Sequence, residues 1–182
     1  MSLGTVPFRR LVIVGELNPY GADPHFAMYP LPANSAGGRM QRLVCRLPRS
    51  VYCDIPRYNL CTGKWSAPAA RERANEILRL HADQEHDDRI VLLGRKVVGA
   101  FFGGDRTWDG AGLHRADWPA PFTTDFMRYA SLGGRATERE PNNLVILPHP
   151  SGLCREWGVP GAYDRAHALL VAAVPGLPWG TS

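Results

Sequence analysis

Apolar positions along this chain follow two rhythms. Short apolar runs mark residues 9–15 (Leu11-Val12-Ile13-Val14, after two arginines and before Gly15), Arg89 to Gly94 (with Ile90 to Leu93) and Leu144 to Leu147. Short continuous runs of this kind, ended by glycine or proline, predict strands buried on both faces. Between them the spacing turns helical. Met40, Leu43, Val44 and Leu47 predict a helix over 38–47, and Ala70, Ala74, Ile77, Leu78 and His81 mark one face of a helix capped by Ser66, with Pro68 in its first turn. A helix begins at Arg95 and runs to Phe102, and another covers Ala162 to Val174 with Ala166, Leu169, Leu170 and Ala173 inward. Val51 to Cys61 reads as a strand ending near Tyr58-Asn59-Leu60, and the charged stretch Asp83 to Arg89 as a solvated connection. Strand and helix alternate, which predicts a three-layer α/β/α sandwich around a short, mostly parallel sheet.

Two long segments break the rhythm. Glu16 to Gly38 is a loop punctuated by proline and glycine, and loops of that length inside a compact domain are usually functional. Residues 103–142 are rich in Gly, Pro and Trp and hold at most a short helix around Thr124 to Tyr129. With 182 residues and no internal repeat, residues 1–182 form one domain.

An apolar content of 45% and a charged content of 21% are ordinary for a soluble globular protein, and no run approaches the ~20 residues of a membrane span. A cytoplasmic protein without membrane partners is expected, with a monomer as the working state. The net charge of +4 is carried almost wholly by arginine, since only Lys64 and Lys96 are lysines. Arginine suits bidentate phosphate contacts and permits a nucleic-acid partner, although coding bias explains it equally well. Cys45, Cys53, Cys61 and Cys154 form no C-x-x-C pair, so reduced and mostly buried thiols are expected, with no metal site.

Candidate chemistry gathers at two strand ends. In Leu147-Pro148-His149-Pro150-Ser151-Gly152, ring-locked φ angles and the pre-proline restriction leave His149 little freedom. The first strand similarly ends in Gly15-Glu16-Leu17-Asn18-Pro19-Tyr20, read as a polar turn. Folds of this class bind ligands at the carboxyl ends of their strands.

These residues resemble the motifs of the uracil-DNA glycosylase superfamily. Gly15 to Tyr20 is similar to its first motif, His149-Pro150-Ser151-Gly152 to its second, Tyr58-Asn59-Leu60 to the strand end that reads uracil, and Val91-Leu92-Leu93-Gly94-Arg95 to a structural strand–glycine–helix step. Their order and approximate spacing agree from about Arg10 to Arg155. The first motif is one residue longer than in the aspartate-bearing branch, and Asn18 stands where that branch has its aspartate.

The resemblance implies a glycosylase that flips uracil out of DNA and hydrolyses its N-glycosidic bond, releasing free uracil. His149 would stabilise the departing base anion. Asn18 would hold the attacking water, since an amide takes up no proton near neutral pH. Asn59 would read the base edge, Tyr20 would exclude the thymine methyl, and Tyr29, or secondly Phe26, would lie under the base. Leu153 would be the wedge, with Ser151, Arg155 and Arg39 as further DNA contacts. Glu16 after Gly15 is similar to the iron–sulfur branch, but no cysteine precedes Gly15, so no cluster and no other cofactor is expected. Lys64 and Lys96 lie outside both motifs, which implies a monofunctional hydrolase. Two other readings stay open: a glycosylase for another deaminated or modified base, and a non-catalytic nucleic-acid or nucleotide binder of the same fold.

Overall fold

A computed structural model of the chain describes residues 10–19, 21–81, 88–102, 144–151 and 154–180. Four parallel strands form one sheet: β1 (Leu11–Asn18), β2 (Arg57–Thr62), β3 (Arg89–Leu93) and β4 (Leu144–Leu147), in the order β2-β1-β3-β4. The apolar runs explain why. Leu11 to Val14 of β1 and Ile90 to Leu93 of β3 are at most 1% exposed, as strands covered on both faces must be.

Successive side chains point to opposite faces, so each strand feeds two cores. Leu11, Ile13, Val91, Leu93, Val145 and Leu147 pack on one side against Met40, Val44, Tyr52, Trp157 and Leu170. Val12, Val14, Ile90 and Leu92 pack on the other against Ala70, Ala74, Ile77, Val97 and Val98. The first side is covered by α1 (Ala36–Arg39) with its π-helical continuation Met40–Cys45, by α2 (Arg49–Asp54) and by α5 (Ala162–Ala173). The second is covered by α3 (Ala67–His81) and α4 (Arg95–Phe102). Helices therefore sit on both faces of the sheet, as the alternation predicts.

Three expectations need correction. The strand expected from Val51 to Cys61 is split: Arg49–Asp54 is the helix α2, and β2 starts only at Arg57. Local β-propensity at Val51 and Tyr52 loses to tertiary packing, because the helix buries Tyr52 completely and sends its hydroxyl to the Met28 carbonyl, 3.1 Å away. Ile55, which precedes Pro56, is extended and ends the helix there. Glu16 and Asn18 belong to β1 rather than to a turn, since the Leu17↔Cys61 and Asn18↔Thr62 pairs carry the strand further.

The charged connection is not wholly solvated either. Asp88 is 2% exposed and Arg89 opens β3. His81 Nδ1 lies 2.9 Å from Asp88 Oδ2, and His81 Nε2 lies 2.9 Å from the Tyr58 hydroxyl. The Arg10 backbone N–H donates to Asp88 Oδ1 at 3.3 Å. A proton on His81 Nδ1 satisfies all these groups at once. The network ties α3 to the amino-terminal ends of β1 and β3, the pole opposite His149. The insert at 103–142 and the helix expected at Thr124 to Tyr129 lie outside the described residues. Among the described residues no helix is long and apolar enough to cross a membrane.

Candidate active site

The connection leaving β1 leads to β2 on one side, and the connection leaving β2 returns past β1 to β3 on the other. This reversal falls at the carboxyl ends of β1 and β3, the place where open α/β sheets bind ligands. Glu16 of β1 and Lys96 of α4 meet there, with Nζ 2.5 Å from Oε1, and the same Nζ lies 5.4 Å from the Trp65 ring centre. Lys96 lies outside both sequence motifs, yet the fold brings it to Glu16 because α4 starts directly after β3.

Asn18 ends β1 and is 4% exposed. Its Oδ1 accepts a hydrogen bond from Asn59 Nδ2 of β2, so two asparagines 41 positions apart form one partly buried amide pair. Asn59 lies opposite Gly15 in the strand register. The Asn59 Oδ1 is buried and has no hydrogen-bond partner among the described residues. Its position explains the glycine. A Cβ on Gly15 would lie 2.8 Å from Met28 Sδ and closer still to Asn59 Oδ1.

Sequence reasoning passed over Met28. Its backbone is left-handed, with φ 49°, although it is not glycine. That conformation disfavours an L-residue by about 1–2 kcal/mol, and only surrounding structure keeps it there. Met28 is 7% exposed and its thioether lies against Gly15, beside the Asn59 amide. Tyr29 and Phe26 stack edge to face on each other at 5.0 Å, and Phe26 is 55% exposed. No sequence signal marks a left-handed methionine.

His149 follows β4, half-buried between two buried prolines. Gly94 makes room for it: with φ +91°, a Cβ there would stand 2.9 Å from His149 Cβ. The Gly94 N–H donates to the Leu147 carbonyl at 2.9 Å, and Trp157 Nε1–H donates to the His149 carbonyl at 2.9 Å. The His149 turn is thus gripped from β3 and from the Arg155–Gly158 turn. Burial lowers the His149 pKa below the ordinary 6.5; the Glu16 carboxylate opposes that shift and Lys96 reinforces it. A neutral imidazole near neutral pH follows, able to donate one N–H to a developing anion.

The remaining candidates divide. Tyr20 and Leu153 lie outside the described residues. Ser151 is half-buried and its carbonyl accepts from the Cys154 N–H at 3.2 Å; Arg155 is exposed on the next turn. Arg39 Nε donates to the Asn34 carbonyl at 3.1 Å, and Arg42 to the Ala33 carbonyl at 3.0 Å, so both brace the loop ahead of α1. All four cysteines are free thiols, Cys45 and Cys61 buried and the other two partly so. Burial pushes the Cys154 thiol up to about 11, with its hydrogen bond to Glu156 adding to the shift. Among the described residues no three His, Cys, Asp or Glu side chains cluster as a metal site. Comparison with known protein families, curated proteins and solved structures found no match to this chain.

Proposed function

We propose that this protein is a monofunctional DNA glycosylase that removes uracil from DNA. The observation that carries the reading is the Asn18–Asn59 pair, beside which Asn59 Oδ1 is a buried acceptor without a partner among the described residues. A buried, unpaired carbonyl costs about 1–3 kcal/mol, and a ligand N–H that meets it recovers that energy. Uracil offers such a donor at its ring N–H, where cytosine offers an acceptor.

Breaking the glycosidic bond leaves positive charge on the sugar and negative charge on the base. His149, neutral and held by its flanking prolines, donates to the base oxygen that gains the charge. A preorganised donor of that kind contributes roughly 3–4 kcal/mol to the transition state. Asn18 retains a second lone pair on Oδ1 and holds water for attack on the sugar cation, without acting as a base. A lysine nucleophile would need a desolvated amine or a cationic neighbour. Lys96 is instead a solvated amine, with its side chain 53% exposed and a carboxylate at 2.5 Å. This supports hydrolysis without strand scission.

One observation favours a second substrate. Met28, an unbranched and adaptable side chain beside Asn59, can accommodate a base of another outline. Hypoxanthine presents the same lactam N–H and carbonyl pair as uracil. The test uses single- and double-stranded oligonucleotides carrying uracil, hypoxanthine or a modified pyrimidine, with alkali revealing abasic sites. Cleavage of the uracil strand, abolished in His149→Ala and Asn18→Ala with DNA binding retained, is the expected result. Binding by folded protein with no cleavage of any strand would instead make it a non-catalytic binder.

A further inference from the structure

The left-handed Met28 is held in place by groups remote from the proposed chemistry. We propose that Tyr52 and Arg57 act as positioning residues for the base pocket, holding Met28 so that its thioether walls Gly15 and Asn59. This inference rests on reading that pocket as the site of the base.

Four contacts converge on residues 27–29. The fully buried Tyr52 donates its hydroxyl to the Met28 carbonyl at 3.1 Å. Arg57 Nε donates to the Ala27 carbonyl at 3.2 Å. The same guanidinium also donates to the Tyr52 carbonyl and sits 5.3 Å from the Tyr52 ring centre, so the two side chains act as one unit. From the other side α1 presses Gly37 so close to the Met28 and Tyr29 carbonyls that no Cβ would fit there. Ser35 Oγ donates to the Tyr29 carbonyl at 3.4 Å.

The strand explains how clamp and pocket are coupled. Arg57 and Asn59 are two residues apart on β2, so both project to the same side of the sheet, while Tyr58 turns to the opposite side and meets His81. One short strand carries the residue that reads the base and the residue that fixes the wall beside it. Without the clamp, residues 27–29 relax toward ordinary extended or helical backbone. That relaxation swings the thioether away from Gly15 and leaves Asn59 without its neighbour.

The experiment follows the methyl group of Met28 by NMR in methionine-methyl-labelled protein, assigned by its loss in Met28→Leu. In Tyr52→Phe, which removes only a hydroxyl, the Met28 methyl shifts or broadens while that of Met40, in the same core, stays in place. KM for uracil-containing DNA rises about fivefold, the equivalent of one ordinary hydrogen bond, with kcat little changed. Glycine takes the left-handed conformation unaided. In a Met28→Gly background, therefore, Tyr52→Phe produces no further rise in KM. An unmoved Met28 methyl, or the same KM effect in both backgrounds, overturns the proposal. If the unaltered protein cleaves no base, the glycosylase reading and the pocket role fall together, while the methyl spectrum still decides whether Tyr52 clamps Met28.

Discussion

Replacing Gly15 with alanine adds a single methyl group where two side chains, Met28 and Asn59, converge. The strand backbone tolerates alanine, so the whole effect is steric. The new Cβ would lie 2.8 Å from Met28 Sδ, well inside the 3.4 Å at which ordinary contact begins, and Asn59 Oδ1 would have to retreat by about 1 Å. That retreat pulls Asn59 Nδ2 from Asn18 Oδ1, leaving a buried carbonyl unpaired at roughly 1–3 kcal/mol. A displacement of about 1 Å in a positioning group lowers turnover roughly 10²-fold, or about 2.7 kcal/mol of transition-state energy. Two measurements separate the terms: urea denaturation for stability, and kcat/KM on a uracil oligonucleotide under conditions where the variant remains folded. Gly176→Ala is the matched control, because nothing lies within 4 Å of the added atom. Gly15→Ala with parental stability and more than half the parental kcat/KM would refute the packing of the amide pair against Gly15.

Further outcomes follow from the same geometry. Gly94→Ala combines a positive φ with pressure on His149, so it should destabilise the fold by about 1–3 kcal/mol and cut uracil release more than its stability loss explains, read by the same two assays. Burial depresses the His149 pKa, so the folded protein binds fewer protons there than the unfolded chain. Its contribution to stability rises with pH through the window between the lowered value and 6.5, and is lost as pH falls through it. The acid limb of the pH–rate profile should therefore fall below 6.5, moving lower in Glu16→Gln and higher in Lys96→Gln. A limb unmoved by either change would rule out their influence on His149. Asp88→Ala strands the buried His81 and the Arg10 N–H, and should cost about 3 kcal/mol by urea denaturation while the folded fraction keeps its kcat.

Much of the architecture was legible because burial on both faces forces continuous apolar runs. β3, β4 and the apolar start of β1 could be read directly, as could the inward faces of α3 and α5. The polar end of β1 from Glu16 to Asn18 reads as a turn until β2 pairs with it. The α2 helix was not, since its β-branched and aromatic residues are helical only to deliver Tyr52 to the Met28 carbonyl, a contact across 24 positions. Asp88 was hidden in a charged run whose polarity suggested solvent, until the fold set it against His81. Within the candidate site, His149 stood out through its flanking prolines. Met28 did not, because its part depends on a backbone angle and a clamp that no local pattern encodes. Lys96 likewise gained a place only when the sheet order brought α4 to the end of β1.

The brace on the His149 turn has a consequence for the order of synthesis. Trp157, which holds the His149 carbonyl, stacks at 4.8 Å on Tyr163 of α5, and both residues are translated after the turn they secure. A ribosome-bound chain can therefore pair β1, β2 and β3, and join Asn18 to Asn59, before the imidazole has its support. Under the proposed function, recognition of the base would mature first, and the power to expel it only after α5 docks.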